Sequence, residues 1–171
     1  MSLAAFGMSI EYLIDQFLGI PGFVLFLCFR GFCQAWTAYK LGDGTARLAG
    51  FMTMNPTKHI NPIGFIFILI FEFGYSKPVP VNTRNFKKIR RDEIIVSLAG
   101  VFTNFVLAFF ALLVQFILDY FHAPYNVFVQ EIMMNLYMIN LCLMVFNLIP
   151  IYPLDGYHVL ENLLIRKTGP K

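Results

Sequence analysis

Charge is what this chain has least of. Asp, Glu, Lys and Arg make up only 13% of its 171 residues, about half the share in ordinary soluble domains, which excludes a typical water-soluble enzyme. Cysteine is nearly absent too. Cys28, Cys33 and Cys142 all lie in apolar stretches without a paired loop framework, which argues against a disulfide scaffold and for packing roles. The first sixteen residues contain Glu11 and Asp15 but no Lys or Arg, so they lack the basic start of a secretory signal and are expected to be retained. No internal repeat or low-complexity tract is visible, and no aromatic or Gly-rich pattern accompanies the basic run at Lys87, Lys88, Arg90 and Arg91, so nucleic acid is not an expected partner. What abounds is apolar surface: 58% of residues are hydrophobic, 20 are Phe, and the mean hydropathy is +0.66. This is too much for one compact core and points to a single integral membrane domain over residues 1–171, with the lipid bilayer as its first partner.

Three stretches, 17–39, 94–121 and 128–150, are long and apolar enough at about 1.5 Å per residue to cross a hydrocarbon core of about 30 Å. Ile63 to Phe71 is apolar but brief and bounded by Asn61, Pro62 and Glu72, so the region of about 48–73 reads as a re-entrant or membrane-inserted element. Leu48 to Lys58 within it alternates loosely between turn signals and suggests a short strand or hairpin. Val159, Leu160, Leu163 and Leu164 share a helical face, which predicts an amphipathic helix over about 157–166. Lys and Arg concentrate on the cytoplasmic side of membrane segments. Three crossings with an external N-terminus put twelve of the thirteen basic residues inside and leave Asp119 to Asn126, which has no Lys or Arg, as the external turn. The expected fold class is therefore an all-α membrane protein of three transmembrane helices plus an inserted hairpin or re-entrant segment, N-terminus outside and C-terminus cytoplasmic.

The thirteenth basic residue, Arg30, lies about midway through the first span. A charge at the bilayer centre costs about 2.5–3.5 kcal/mol on insertion scales unless paired or hydrated. Asp155 is its natural partner, just past the third span, where Pro150 and Pro153 break the helix and free backbone groups that must face protein or a cavity.

The segment Asn147-Leu148-Ile149-Pro150-Ile151-Tyr152-Pro153-Leu154-Asp155-Gly156 resembles the N-x-x-P-x-x-P-L-D-G signature of the site-2 protease family, zinc peptidases embedded in the membrane. Four further segments resemble the family in the same order: Ala35 to Asp43 with Thr45 and Ala46, Thr53 to Gly64, Phe73 to Asn82, and Ala99 to Asn104. The resemblance implies a site-2-protease core and places the family's H-E-x-x-H motif on Arg30-Gly31-Phe32-Cys33-Gln34. In that motif two His residues one helical turn apart bind zinc and the Glu serves as general base. Here Arg30 repels a dication, Gly31 supplies no base, Gln34 is a poor zinc ligand, and Asp155 alone is retained from the ligand set. Asn61, Phe51 and Val101 also stand where the family usually has Asp, Arg and Pro. No catalytic residue and no metal are therefore expected. The resemblance instead implies that Arg30 and Asp155 face each other as a buried ion pair, guanidinium in place of zinc. Asn55, His59, Asn104, Asn140 and Asn147 match family positions and are expected to bond backbone groups or line the former substrate groove. On the same reading, Arg30→His, Gly31→Glu and Gln34→His together would restore zinc uptake to an otherwise unchanged scaffold.

Three functions compete. The first is a catalytically inactive member serving as scaffold, chaperone or accessory subunit for transmembrane partners in a larger membrane complex, with no cofactor. The second is an active intramembrane zinc metallopeptidase whose metal shell is rebuilt from Asp155, His59, Cys33 or His158. The third, a polar conduit through Arg30, Asp155 and the Asn residues, is disfavoured by the fixed Arg charge. The short form without a PDZ or other soluble domain resembles prokaryotic relatives and suggests a prokaryotic cytoplasmic membrane.

Overall fold

The computed structural model describes residues 10–64, 76–122, 127–152 and 154–164. Three long helices dominate: α1 (Ile10–Lys40), with the short α2 (Thr45–Leu48) and α3 (Pro56–His59) packed against it, then α4 (Ile89–Tyr120) and α5 (Val127–Leu148). A shorter helix, α6 (Asp155–Leu164), packs against α4 and α5. The centre of the bundle is α4, which touches α1, α5 and α6. Its inward face explains this: Ser97, Gly100, Val101, Asn104, Ala108 and Ala111 recur at helical spacing and are buried, small enough for close approach of neighbouring helices. Phe23, Leu27 and Leu143 form the apolar contact between α1 and α5, with Leu107 and Ile139 beside them.

Among the described residues two helical stretches, Ile89–Tyr120 and Val129–Leu148, are long and apolar enough to cross a membrane. They fall where the sequence predicts the second and third spans. α4 starts five residues before the expected boundary at 94 because Asp92, buried in its first turn, accepts the backbone N–H of Lys88 at 2.9 Å and caps the helix. α5 stops at Leu148, two residues short of Pro150, as expected from the restriction proline places on what precedes it. α1 runs through the whole first predicted span.

The expected strand or hairpin over Leu48 to Lys58 is corrected. Among the described residues this stretch holds no strand. α2 ends in a turn at Ala49-Gly50, and Asn55 then caps α3 by accepting the Thr57 N–H at 3.1 Å, with Pro56 at the first helical position. Local capping by Asn and Pro outweighs the loose alternation. One antiparallel bridge, Ile60 with Ser76, joins the ends of the segment, supported by the Lys77 N–H to His59 O bond of 2.8 Å. Residues 65–75, which include most of the apolar run Ile63 to Phe71 of the predicted re-entrant element, lie outside the described residues, as do part of the external turn and the basic tail after Leu164. α6 is described over Asp155–Leu164 and starts two residues before the expected 157, at the carboxylate that favours a helix N-terminus; the expected end at 166 lies outside the described residues.

The loops at the α1 end are pinned by a residue to which the sequence reading gave no role. Asp43, fully buried, accepts hydrogen bonds from the Thr45 N–H (3.1 Å), the Thr45 hydroxyl (2.5 Å), the Asn82 N–H (2.8 Å) and the Asn85 side-chain amide (2.8 Å). Burial pushes this carboxyl up, but the hydrogen bonds from Thr45, Asn85 and Asn82 outweigh it and hold it below the usual carboxylate value. Its contribution is thus present above about pH 4 and lost as the pH falls through the lowered folded value. Asp43→Ala is expected to cost about 2–4 kcal/mol at neutral pH, since it strands several donors. Unfolding of both proteins in detergent checks this, and the gap between them should narrow below about pH 4.

Candidate functional site

Proximity here follows from three local features. Arg30 and Gln34 are one turn apart on α1 and share a face. The chain leaves α5 at Leu148 and turns so sharply that a side chain at Gly156 would meet the Leu148 carbonyl oxygen at 2.3 Å, which brings Asp155 back against the bundle. Gly100 on α4 leaves the remaining wall open: a Cβ there would lie 2.7 Å from Gln34 Nε2 and 3.2 Å from Asp155 Oδ2.

At the meeting point Arg30 forms an ion pair with Asp155 through Nη2 and Oδ2, their side chains only 11% and 13% exposed. The other carboxylate oxygen accepts the Gln34 side-chain amide at 3.0 Å. Arg30 also donates to Asn147 Oδ1 and to Ser76 Oγ, both at 3.1 Å. Asn147 is held in turn by its own amide, which donates to the Leu143 carbonyl at 2.7 Å. Four segments, α1, the chain around Ser76, α5 and α6, are therefore joined through one guanidinium. Nothing in the sequence marks Ser76 as a member of this cluster.

The cluster forms one wall of a cavity of about 780 Å³. Asn61, Thr83, Ser97, Val81 and Phe146 also line it, and so do Glu93 and His158, whose Oε1 and Nδ1 lie 3.3 Å apart. The lining is mixed polar and apolar, open to a chain segment carrying both kinds of group.

The remaining predicted site residues lie in different surroundings. His59 is fully buried with Nε2 2.8 Å from the Thr53 carbonyl and its ring edge-on to Phe51. A Cβ on Gly31 would sit 2.2 Å from His59 Nδ1 and 2.7 Å from Cε1, so the imidazole fills the space where a side chain at position 31 would begin. This amends the expectation for the restored motif, because Gly31→Glu requires the His59 ring to move first. Asn55 is exposed and caps α3. Asn140 is fully buried and donates to the Leu136 carbonyl at 2.7 Å, the backbone bond expected for it. Asn104 is fully buried, and no hydrogen-bond partner for its amide occurs among the described residues. Cys33 is partly buried on α1.

The donor set does not fit zinc. Both oxygens of Asp155 are taken by Arg30 and Gln34, and Arg30 sets a fixed cation beside the carboxylate, where it repels a dication. Among the described residues no three of His, Cys, Asp and Glu are grouped so as to hold a metal ion.

Two helices long and apolar enough to cross a membrane, with a polar cluster held at a proline-broken helix end, are the arrangement of a membrane protein with an internal polar site. Residues 119–171 match the model of peptidase family M50. The chain is 41% identical over 138 residues to the Bacillus subtilis protein named "Putative zinc metalloprotease YwhC", covering 77% of this chain and 62% of that one. It is 36% identical over 155 residues to "Putative zinc metalloprotease Rip2" of Mycolicibacterium smegmatis, covering 88% and 59%, and 33% identical over 156 residues to the Mycobacterium tuberculosis protein of the same name, covering 87% and 58%. The chain spans about three-fifths of the length of these relatives. No solved structure matches. The chain belongs to the site-2 protease family, peptidase family M50, and lacks its H-E-x-x-H motif.

Two outcomes follow from the geometry. Arg30→Ala should destabilise the protein by about 3–5 kcal/mol, as the carboxylate is left buried without its cation. Arg30→Leu with Asp155→Leu should cost less than the sum of the two single leucine changes; additive costs in a double-mutant unfolding cycle would count against the pairing. Because Gln34, Ser76 and Asn147 lose partners as well, the double variant should still fall below wild type. Separately, Gly31→Ala should cost about 1–3 kcal/mol through overpacking, and His59→Ala should suppress most of that increment.

Proposed function

We propose that this chain is a non-proteolytic member of its family, a membrane scaffold, chaperone or accessory subunit whose cavity holds a segment of a transmembrane partner. The observation that carries the reading is the double occupation of Asp155. The carboxylate that the family resemblance puts in the metal-ligand set is here the acceptor for Arg30 and Gln34, and a lone carboxylate so engaged supplies neither zinc affinity nor a general base. The crowding of His59 against Gly31 supports it, because the room for a catalytic Glu is already filled. Three crossings, with α1 as the first, an external N-terminus and a cytoplasmic C-terminus in a prokaryotic membrane, complete the proposal on the distribution of basic residues.

The cavity fits a partner rather than an ion pathway. Its volume accommodates several side chains of an inserted segment. Serine, threonine and asparagine groups on the wall offer hydrogen bonds to a polar or locally unwound stretch of helix, which has few other places to satisfy them in lipid.

An active metallopeptidase with a rearranged shell is the second reading, favoured by the names of the relatives. Zinc analysis of the protein isolated from native membranes, together with a cleavage assay on transmembrane substrates in detergent, separates the two. The scaffold reading expects no retained zinc after loading and washing, no cleavage, and a cross-link from a photoreactive group at Ser97 to a membrane-spanning segment of another protein. Zinc near one per chain, or chelator-sensitive cleavage abolished by Asp155→Ala, would overturn it.

A further inference from the structure

The acidic residues around the α4 entry end of the bundle are turned inward. Asp43 is fully buried and saturated by Thr45, Asn82 and Asn85; Asp92 is 5% exposed and caps α4; Glu93 lies against His158, and Asp155 against Arg30. The basic residues do the reverse. Lys87, Lys88, Arg90 and Arg91 are all exposed at the start of α4, and among the described residues none of them forms an ion pair. Among the described residues this rim is a positive surface with the nearby counter-charges withdrawn into the protein, which leaves it open to anions from outside the chain.

The position of Arg91 identifies the source. At 3.6 residues per turn Arg91 lies on the same face of α4 as Leu98, Phe102, Phe105, Phe109 and Phe116, all within about 40° of it around the helix axis. These five are 40%, 64%, 50%, 53% and 66% exposed, and no described element covers them. From Leu98 to Phe116 the stripe rises about 27 Å, close to the thickness of the hydrocarbon core. Beyond it Tyr120 and Phe121, 69% and 71% exposed, take up the level where aromatic residues meet the far interface. At the near end Arg91 sits about 10 Å before Leu98 along the axis, at headgroup depth, with Lys88 one turn earlier. Apolar column and cationic base are thus aligned as the two parts of one lipid molecule are.

We propose that this face of α4 is a binding site for an anionic phospholipid, its phosphate held by Arg91 and Lys88 and an acyl chain lying along Leu98, Phe102, Phe105 and Phe109. Arg suits the phosphate because its planar fork donates two parallel hydrogen bonds, and Lys88 adds a second cation. The exposed Phe rings offer broad apolar contact to a disordered chain. This site is separate from the Arg30–Asp155 cavity, which opens between α1, α4, α5 and α6, so its test is independent of whether the chain cleaves peptides.

The experiment compares spin-labelled phosphatidylglycerol with spin-labelled phosphatidylcholine around the full chain reconstituted in phosphatidylcholine bilayers, reading the motionally restricted fraction. The wild type should select the anionic lipid, and the preference should fall as ionic strength is raised from about 0.01 to about 1 M. Lys88→Gln with Arg91→Gln should reduce the preference by about fivefold or more at low salt. The distant Lys58→Gln should largely keep it, and Arg91→Lys, which keeps the charge but not the fork, should fall between wild type and the double Gln variant. Phe102→Ala with Phe105→Ala should reduce the restricted fraction of both lipids and leave their ratio unchanged. Equal selection of the two lipids by wild type at low salt would overturn the proposal even if a variant failed to fold. So would undiminished preference in the folded Lys88→Gln, Arg91→Gln protein. Inorganic phosphate should not displace the labelled lipid beyond the effect of chloride at equal ionic strength; displacement would mark a free-anion site and reject the lipid one.

Discussion

A full positive charge midway along a helix in an apolar bundle sets the terms for everything near it. The Arg30 side chain is almost wholly withdrawn from solvent, so the surrounding chain must supply acceptors for its fixed charge. Asp155 from α6, Asn147 from α5 and the hydroxyl of Ser76 all converge on it. Each comes from a different segment, and the convergence ties α6 to the bundle at the point where the prolines have already broken the preceding helix. The pair's net worth against an apolar replacement is small or negative in general. What it confers is selection of one arrangement, since any other leaves a charge without its partner.

Much of this was legible in the residues. The length and apolarity of 94–121 and 128–150 are strong signals, and α4 and α5 lie there. The motif ending in Asp155-Gly156 is specific enough to identify the family, and alignment of H-E-x-x-H with Arg30 to Gln34 brings the two charges to opposite sides of one site. Legibility ended where contacts join residues distant in sequence without a periodic pattern. Ser76 carries no mark of its partnership with a residue 46 positions earlier. Asp43 does have a local sign, an Asp two residues before a Thr, the pattern of a side chain folding back on its own turn; its longer reach to Asn82 and Asn85 does not show. The misreading of Leu48 to Lys58 has a similar cause. Loose alternation is a weak signal over so short a stretch, and one Asn-Pro pair was enough to start a helical turn there instead.

Two kinds of charge are sorted by this fold in opposite directions. Asp43, Asp92 and Asp155 serve as internal fasteners, held by hydrogen-bond donors around them, whereas most of the described cations stay at the surface. Arg30 is the exception. A lipid-exposed column on one side of α4 and small buried residues on the other divide the same helix into a solvent-like face and a packing face. That division lets α4 act as the central post of the bundle while remaining open to the bilayer along one edge.

The imidazole of His59 lodged over Gly31 makes two positions distant in sequence interdependent. A side chain introduced at position 31 meets the ring before it can reach the polar cluster. Exchanging positions 30, 31 and 34 one at a time would therefore pass through crowded or mispaired intermediates, so the order of the three changes matters as much as their identity.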